Sequence, residues 1–139
     1  MKPIIQQLLK IAETGQQDEK RGSLMDIYDY LEHPYPYEDG YADVVQQLIV
    51  LLSKEMDAEV RKLLVRNIEM AYMYTINLDG ISFEPLINGL DKADPFFIRS
   101  VLYLLSMTYS RKYIPVVERF LGHSNEDVRG EAEYILDTW

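Results

Sequence analysis

Cysteine is absent from the 139-residue chain, which excludes disulfides, a thiolate metal site and a cysteine nucleophile, and fits a reducing compartment. Long apolar runs are missing too. Nothing approaches the roughly 18 consecutive residues of a membrane span, and the stretch Met1-Lys2-Pro3-Ile4-Ile5-Gln6-Gln7 lacks the continuous apolar core of a signal peptide. A soluble, unprocessed, cytoplasmic protein without membrane association is the expectation. Bases are scarce: 14 Lys and Arg face 23 Asp and Glu, for a formal charge of −9. That balance opposes direct contact with a nucleic-acid backbone and suits a basic protein partner. The scarcity is local. Between Gly22 and Ser53 there is no Lys or Arg, whereas Asp26, Asp29, Glu32, Glu38, Asp39 and Asp43 supply −6 of the −9.

Motifs for catalysis are lacking as well. The two histidines, His33 and His123, belong to no local metal-ligand spacing and no nucleophile motif. There is no glycine-rich phosphate loop, and Asp39-Gly40 and Asp79-Gly80 are turn dipeptides without the ligand ladder of a calcium loop. The expectation is a protein that is not an enzyme and needs no metal or organic cofactor.

What the chain does contain is helical periodicity. Pro3 suits a first helical turn, and Ile4, Ile5, Leu8, Leu9 and Ala12 follow at helical spacing until Gly15, which predicts a helix over 3–14. Gln16 to Gly22 reads as a polar loop, and Ser23 with Asp26 three residues on reads as the start of a second helix ended by Pro34. Further helices are predicted over 41–53, 57–76, 83–90 and from Asp94-Pro95 to Tyr109. A last pair follows: Tyr113, Val116, Val117 and Phe120 form one stripe, Gly122 stops it, and Ser124 caps a helix carrying Val128, Ala132, Ile135 and Leu136.

These pairs repeat. Leu52, Leu90 and Phe120 each stand eight residues before Val60, Ile98 and Val128, and each of those is followed by an arginine, Arg61, Arg99 or Arg129. Asp57, Asp94 and Asn125 sit at the corners, and the units are spaced by 38 and 30 residues. On these residues the chain resembles the HEAT family of α-helical repeats. The resemblance implies an all-α fold, a short α–α superhelix of about three to four helix pairs in one domain. Residues 1–40 would be a diverged or capping pair plus loop, and residues 41–139 three units. It also implies that Asp57, Arg61, Asp94, Arg99 and Arg129 are structural.

Two surfaces are candidates for binding. The first is acidic and rich in tyrosine: Asp26, Asp29, Tyr30 and His33 fall opposite the inward stripe of Leu24, Ile27, Tyr28 and Leu31, and Tyr35, Tyr37, Glu38 and Asp39 follow. Tyrosines supply contact area at low entropic cost, and acids steer a basic partner. The bland alternative is a packed segment with ordinary solvated acids. The second surface is the concave side that the resemblance implies, where the repeat offsets align Arg66, Met73, Phe97, Leu104, Met107 and Tyr134 in a groove. Its alternative is that Phe97, Leu104 and Met107 are simply core. The leading functional expectation is a non-enzymatic protein-binding module, most specifically an acidic immunity protein or antitoxin that neutralises a basic toxin domain such as a nuclease. The other readings are an adaptor or assembly factor that takes a peptide or helix in the groove, and a HEAT-like enzyme such as a bilin lyase.

Overall fold

The computed structural model describes residues 1–32, 40–74, 78 and 80–139. Among these the chain is all-helical, without a strand, and no helix is long and apolar enough to cross a membrane. Contacts divide it into two compact units, Met1–Pro85 and Leu86–Trp139.

The first unit holds α1 (Pro3–Thr14), α2 (Gln17–Glu32), α3 (Tyr41–Lys54) and α4 (Ala58–Tyr74). Pro3 starts α1, Ile5, Leu9 and Ala12 bury one stripe of it, and the Gly15 amide closes it on the Ile11 carbonyl at 2.8 Å. Helices α1 and α2 form one hairpin and α3 and α4 a second, with α3 packed on α1 and α4 on α2. Leu24, Ile27 and Leu31 of α2, Val44, Val45, Leu48, Ile49 and Leu52 of α3, and Leu64, Ile68 and Ala71 of α4 fill the interior. Each full-sized side chain there contributes about 1.5–3 kcal/mol of burial.

The polar run expected as a loop over 16–22 is instead the beginning of α2. Its amides find partners that hydropathy does not register. The Gln16 amide donates to Glu19 Oε1 at 2.9 Å, which is the reciprocal half of a capping box, and Arg21 pairs with Asp18 one turn earlier. Lys20 reaches Glu55 at 3.2 Å with both side chains largely buried. Ser23 is therefore no cap. It is buried in mid-helix, and its hydroxyl donates to the Leu8 carbonyl at 2.8 Å.

The short helix α5 (Glu84–Ile87) straddles the boundary between the units, and the helix expected to run to residue 90 stops there; a 3-10 turn, Leu90–Lys92, follows. The second unit then has α6 (Pro95–Met107), a 3-10 turn Arg111–Tyr113, α7 (Ile114–Glu118) and α8 (Glu126–Thr138), with α6 and α7 packed on α8. Tyr109, the expected end of the sixth helix, lies just beyond α6 in the left-handed region at φ 52°.

The corners carry the repeat, and their caps set its register. Asp57, Asp94 and Asn125 each accept from the amide three residues on, Val60, Phe97 and Val128, at 2.9–3.0 Å. Ser124, expected as the last cap, is displaced by its neighbour Asn125. Counted from the caps, the middle unit is shifted by one residue from the alignment on Ile98. The residue four past the cap is Arg61 or Arg129 at the outer corners but the fully buried Ile98 at the middle one. Arg61 and Arg129 act alike: each guanidinium donates to the carbonyl six residues back, Glu55 at 2.5 Å and His123 at 2.7 Å. Arg129 adds the Ser124 carbonyl at 3.0 Å. Arg99 falls one place later and is exposed, and among the described residues no such bond joins it to its corner.

A paired substitution tests this register. Arg129→Gln is expected to cost about 1.5–3 kcal/mol in urea unfolding, the worth of hydrogen bonds from a charged donor. Arg99→Gln should stay within about 0.5 kcal/mol of the unsubstituted protein, as surface changes do.

Candidate functional site

The solvent face of α2 is acidic along its last two turns. Asp26, Asp29 and Glu32 succeed one another at three-residue spacing, all exposed, and the exposed Met25 stands beside them. The helix is held in this orientation from behind. Leu24, Ile27 and Leu31 are fully buried, and Asn67 of α4 donates from Nδ2 to the Leu24 carbonyl at 3.1 Å. Asp26 and Asp29 thus lie where the periodicity places them. Glu32 completes the row; its acidity was evident, and its position one turn beyond Asp29 was the available signal.

The tyrosines divide differently. Tyr41 is buried, and its hydroxyl donates to the Leu31 carbonyl at 2.9 Å, so it closes the end of α2. Tyr30, expected on the open side, is half-buried with its ring 5.7 Å from that of Tyr41. Tyr28, expected inward, is also half-buried, and the Arg66 guanidinium lies over its ring at 5.8 Å from the centroid. His33, Tyr35, Tyr37, Glu38 and Asp39 lie outside the described residues.

Beside the acidic row, α2 and α4 leave a cleft of about 260 Å³ lined by Met25, Tyr28, Asp29, Leu63, Arg66 and Asn67. Sequence reasoning missed it. Of its lining residues, Asp29 and Arg66 are expected on two different surfaces and Tyr28 in the core. Asn67 is only 1% exposed, donates to the Leu24 and Leu63 carbonyls, and has an Oδ1 with no hydrogen-bond donor among the described residues. In the cap register its slot, ten past the cap, is held by buried Leu104 in α6 and buried Ile135 in α8. A polar residue stands here where the fold elsewhere uses an aliphatic one.

In comparisons with known proteins, the chain matches no family model, no curated protein and no solved structure.

The expected groove needs correction at its centre. Leu104 is fully buried, because the one-residue shift turns it inward, and Tyr103 takes the exposed position in its place. Phe97 and Met107 are half-buried. The positions nine past each cap, Arg66, Tyr103 and Tyr134, are all exposed, as are those two past it, Glu59, Phe96 and Asp127. Arg66 and the exposed Met73 belong to the first unit, and the other four groove residues to the second. Among the described residues no three His, Asp or Glu side chains are grouped to hold a metal ion.

Proposed function

We propose that the chain is a non-enzymatic protein-binding module whose acidic α2 face receives a basic partner. In its most specific form it is a cytoplasmic immunity protein or antitoxin against a basic toxin domain such as a nuclease. We further read the scaffold as a short HEAT-like superhelix. Supporting that scaffold are the stacking of α3 on α1 and α4 on α2, the three amide caps at equivalent positions, and the matching corner bonds of Arg61 and Arg129.

One observation carries the binding reading. Asp26, Asp29 and Glu32 form an exposed row on consecutive turns, within a stretch from Gly22 to Ser53 that holds no Lys or Arg. Packing of α2 uses the opposite side of the helix and does not require that row. Exposed like charges held on a rigid helix cost a little stability and raise the association rate with an oppositely charged protein. A second reading, an adaptor that docks a peptide or helix, is favoured by the exposed aromatic residues Phe96, Tyr103 and Tyr134 of the second unit.

The test is kinetic. A partner recovered from the native host at low salt would be purified, and its binding followed with and without Asp26→Asn, Asp29→Asn and Glu32→Gln together. The triple variant should associate at least tenfold more slowly at low salt and with a flatter salt response. A partner that binds both proteins with the same rate and salt slope would move the interface to the aromatic surface of the second unit.

A further inference from the structure

We propose that the α2–α4 cleft is a socket for one tryptophan side chain of the protein partner, which would make it the anchor of the interface. The proposal rests on the reading of the acidic face for the partner being a protein. It concerns a different set of contacts. The cleft shares Met25 and Asp29 with the acidic row, so a protein docked on that row covers its mouth.

Size comes first. A dry cavity of about 150 Å³ holds one benzene ring, and drug-sized pockets begin at about 300 Å³. A cleft of about 260 Å³ therefore suits a two-ring side chain and is small for a cofactor. The lining then selects among side chains. Arg66 lies over the face of Tyr28 and lines the cleft together with Asp29, so the two charges offset one another and the Arg66 guanidinium can lie on an inserted aromatic ring as it does on Tyr28. Met25 and Leu63 offer apolar walls, and the Met25 thioether is favourable against a ring. Asn67 Oδ1 lacks a donor, and the indole N–H is a donor only. Phenylalanine would leave that acceptor unmet. Oδ1 is covered from water, so the indole N–H reaches it only when the side chains over it move aside.

The probe is N-acetyl-tryptophanamide, titrated into protein carrying ¹³C-labelled methionine methyls. A saturable shift of the Met25 methyl is expected, with the exposed Met56 methyl, remote from the lining, unmoved. The analogue methylated on the indole nitrogen should bind about fivefold more weakly, the value of one neutral hydrogen bond. Asn67→Leu, which places the side chain of the α6 counterpart in the slot, should bind both probes equally, and Arg66→Ala should weaken both. Absence of a saturable Met25 shift, equal movement of Met56, or a preference for the unmethylated probe that survives Asn67→Leu would each overturn the socket. The two readings fail separately. Asp26→Asn with Glu32→Gln touches no lining residue: if it leaves partner association unchanged while the probe still saturates, the acidic face is wrong and the socket stands. If it slows the partner while the probe does not bind, the socket alone is lost.

Discussion

Val128→Asp is expected to cost about 3–5 kcal/mol, because it buries an unpaired carboxylate at a residue with no exposed surface. Val128 supplies the amide that Asn125 caps, and it lies on α8, the helix on which both α6 and α7 pack. The change keeps the backbone bond, removes the apolar contact and sets a charge in its place. Its effect therefore reads packing at the last corner rather than the cap. Since whole domains are stable by about 5–15 kcal/mol, the loss should appear as a large fall in the urea midpoint. An unchanged midpoint would show that Val128 does not lie at a close approach of helices.

Asn67→Asp should cost a similar amount in the first unit. The Nδ2 group now donates to the Leu24 carbonyl at 3.1 Å and to the Leu63 carbonyl at 2.8 Å; an introduced carboxylate would set an acceptor against both. The cost is about 3–5 kcal/mol at neutral pH, where that group is charged and buried. Burial raises the pKa of a carboxyl in the folded state above its unfolded value, so the folded protein binds the proton more tightly. Stability of the variant relative to the parent should thus fall as pH rises above about 4 and recover in part as it drops. Asn67→Leu is the control: both carbonyls lie within helices, and an aliphatic side chain occupies the same slot in α6 and α8, so it should stay within about 1 kcal/mol. Urea unfolding of the two variants across pH separates a packing role from a polar one.

How far the sequence could be read follows from which interactions are local. Pro3 and Gly15 mark both ends of α1, and Asp94 with Pro95 marks the start of α6, because caps and proline act within one turn. The first turns of α2 were illegible. Their support comes from Glu19 on a backbone amide, from Lys20 on Glu55 and from Ser23 on Leu8, two of which are partners distant in sequence. The arginine repeat was readable as a pattern but misleading at Arg99, since only the cap distance tells which residue turns inward. Aligning on the arginines moved Leu104 out of the core and left Tyr103 unnoticed. In the site, period 3.6 correctly exposed Asp26 and Asp29. It could not say that Arg66 of α4 would lie over Tyr28 and Tyr41 of α3 beside Tyr30, which leaves each ring half-covered.

The bond from the Tyr41 hydroxyl to the Leu31 carbonyl couples the two hairpins of the first unit. It joins the last buried turn of α2 to the first residue of α3, so the end of one hairpin and the start of the next are held by a contact independent of the residues between them. A change at Tyr41 therefore acts on both hairpins at once, on the packing of α3 and on the last turn of α2.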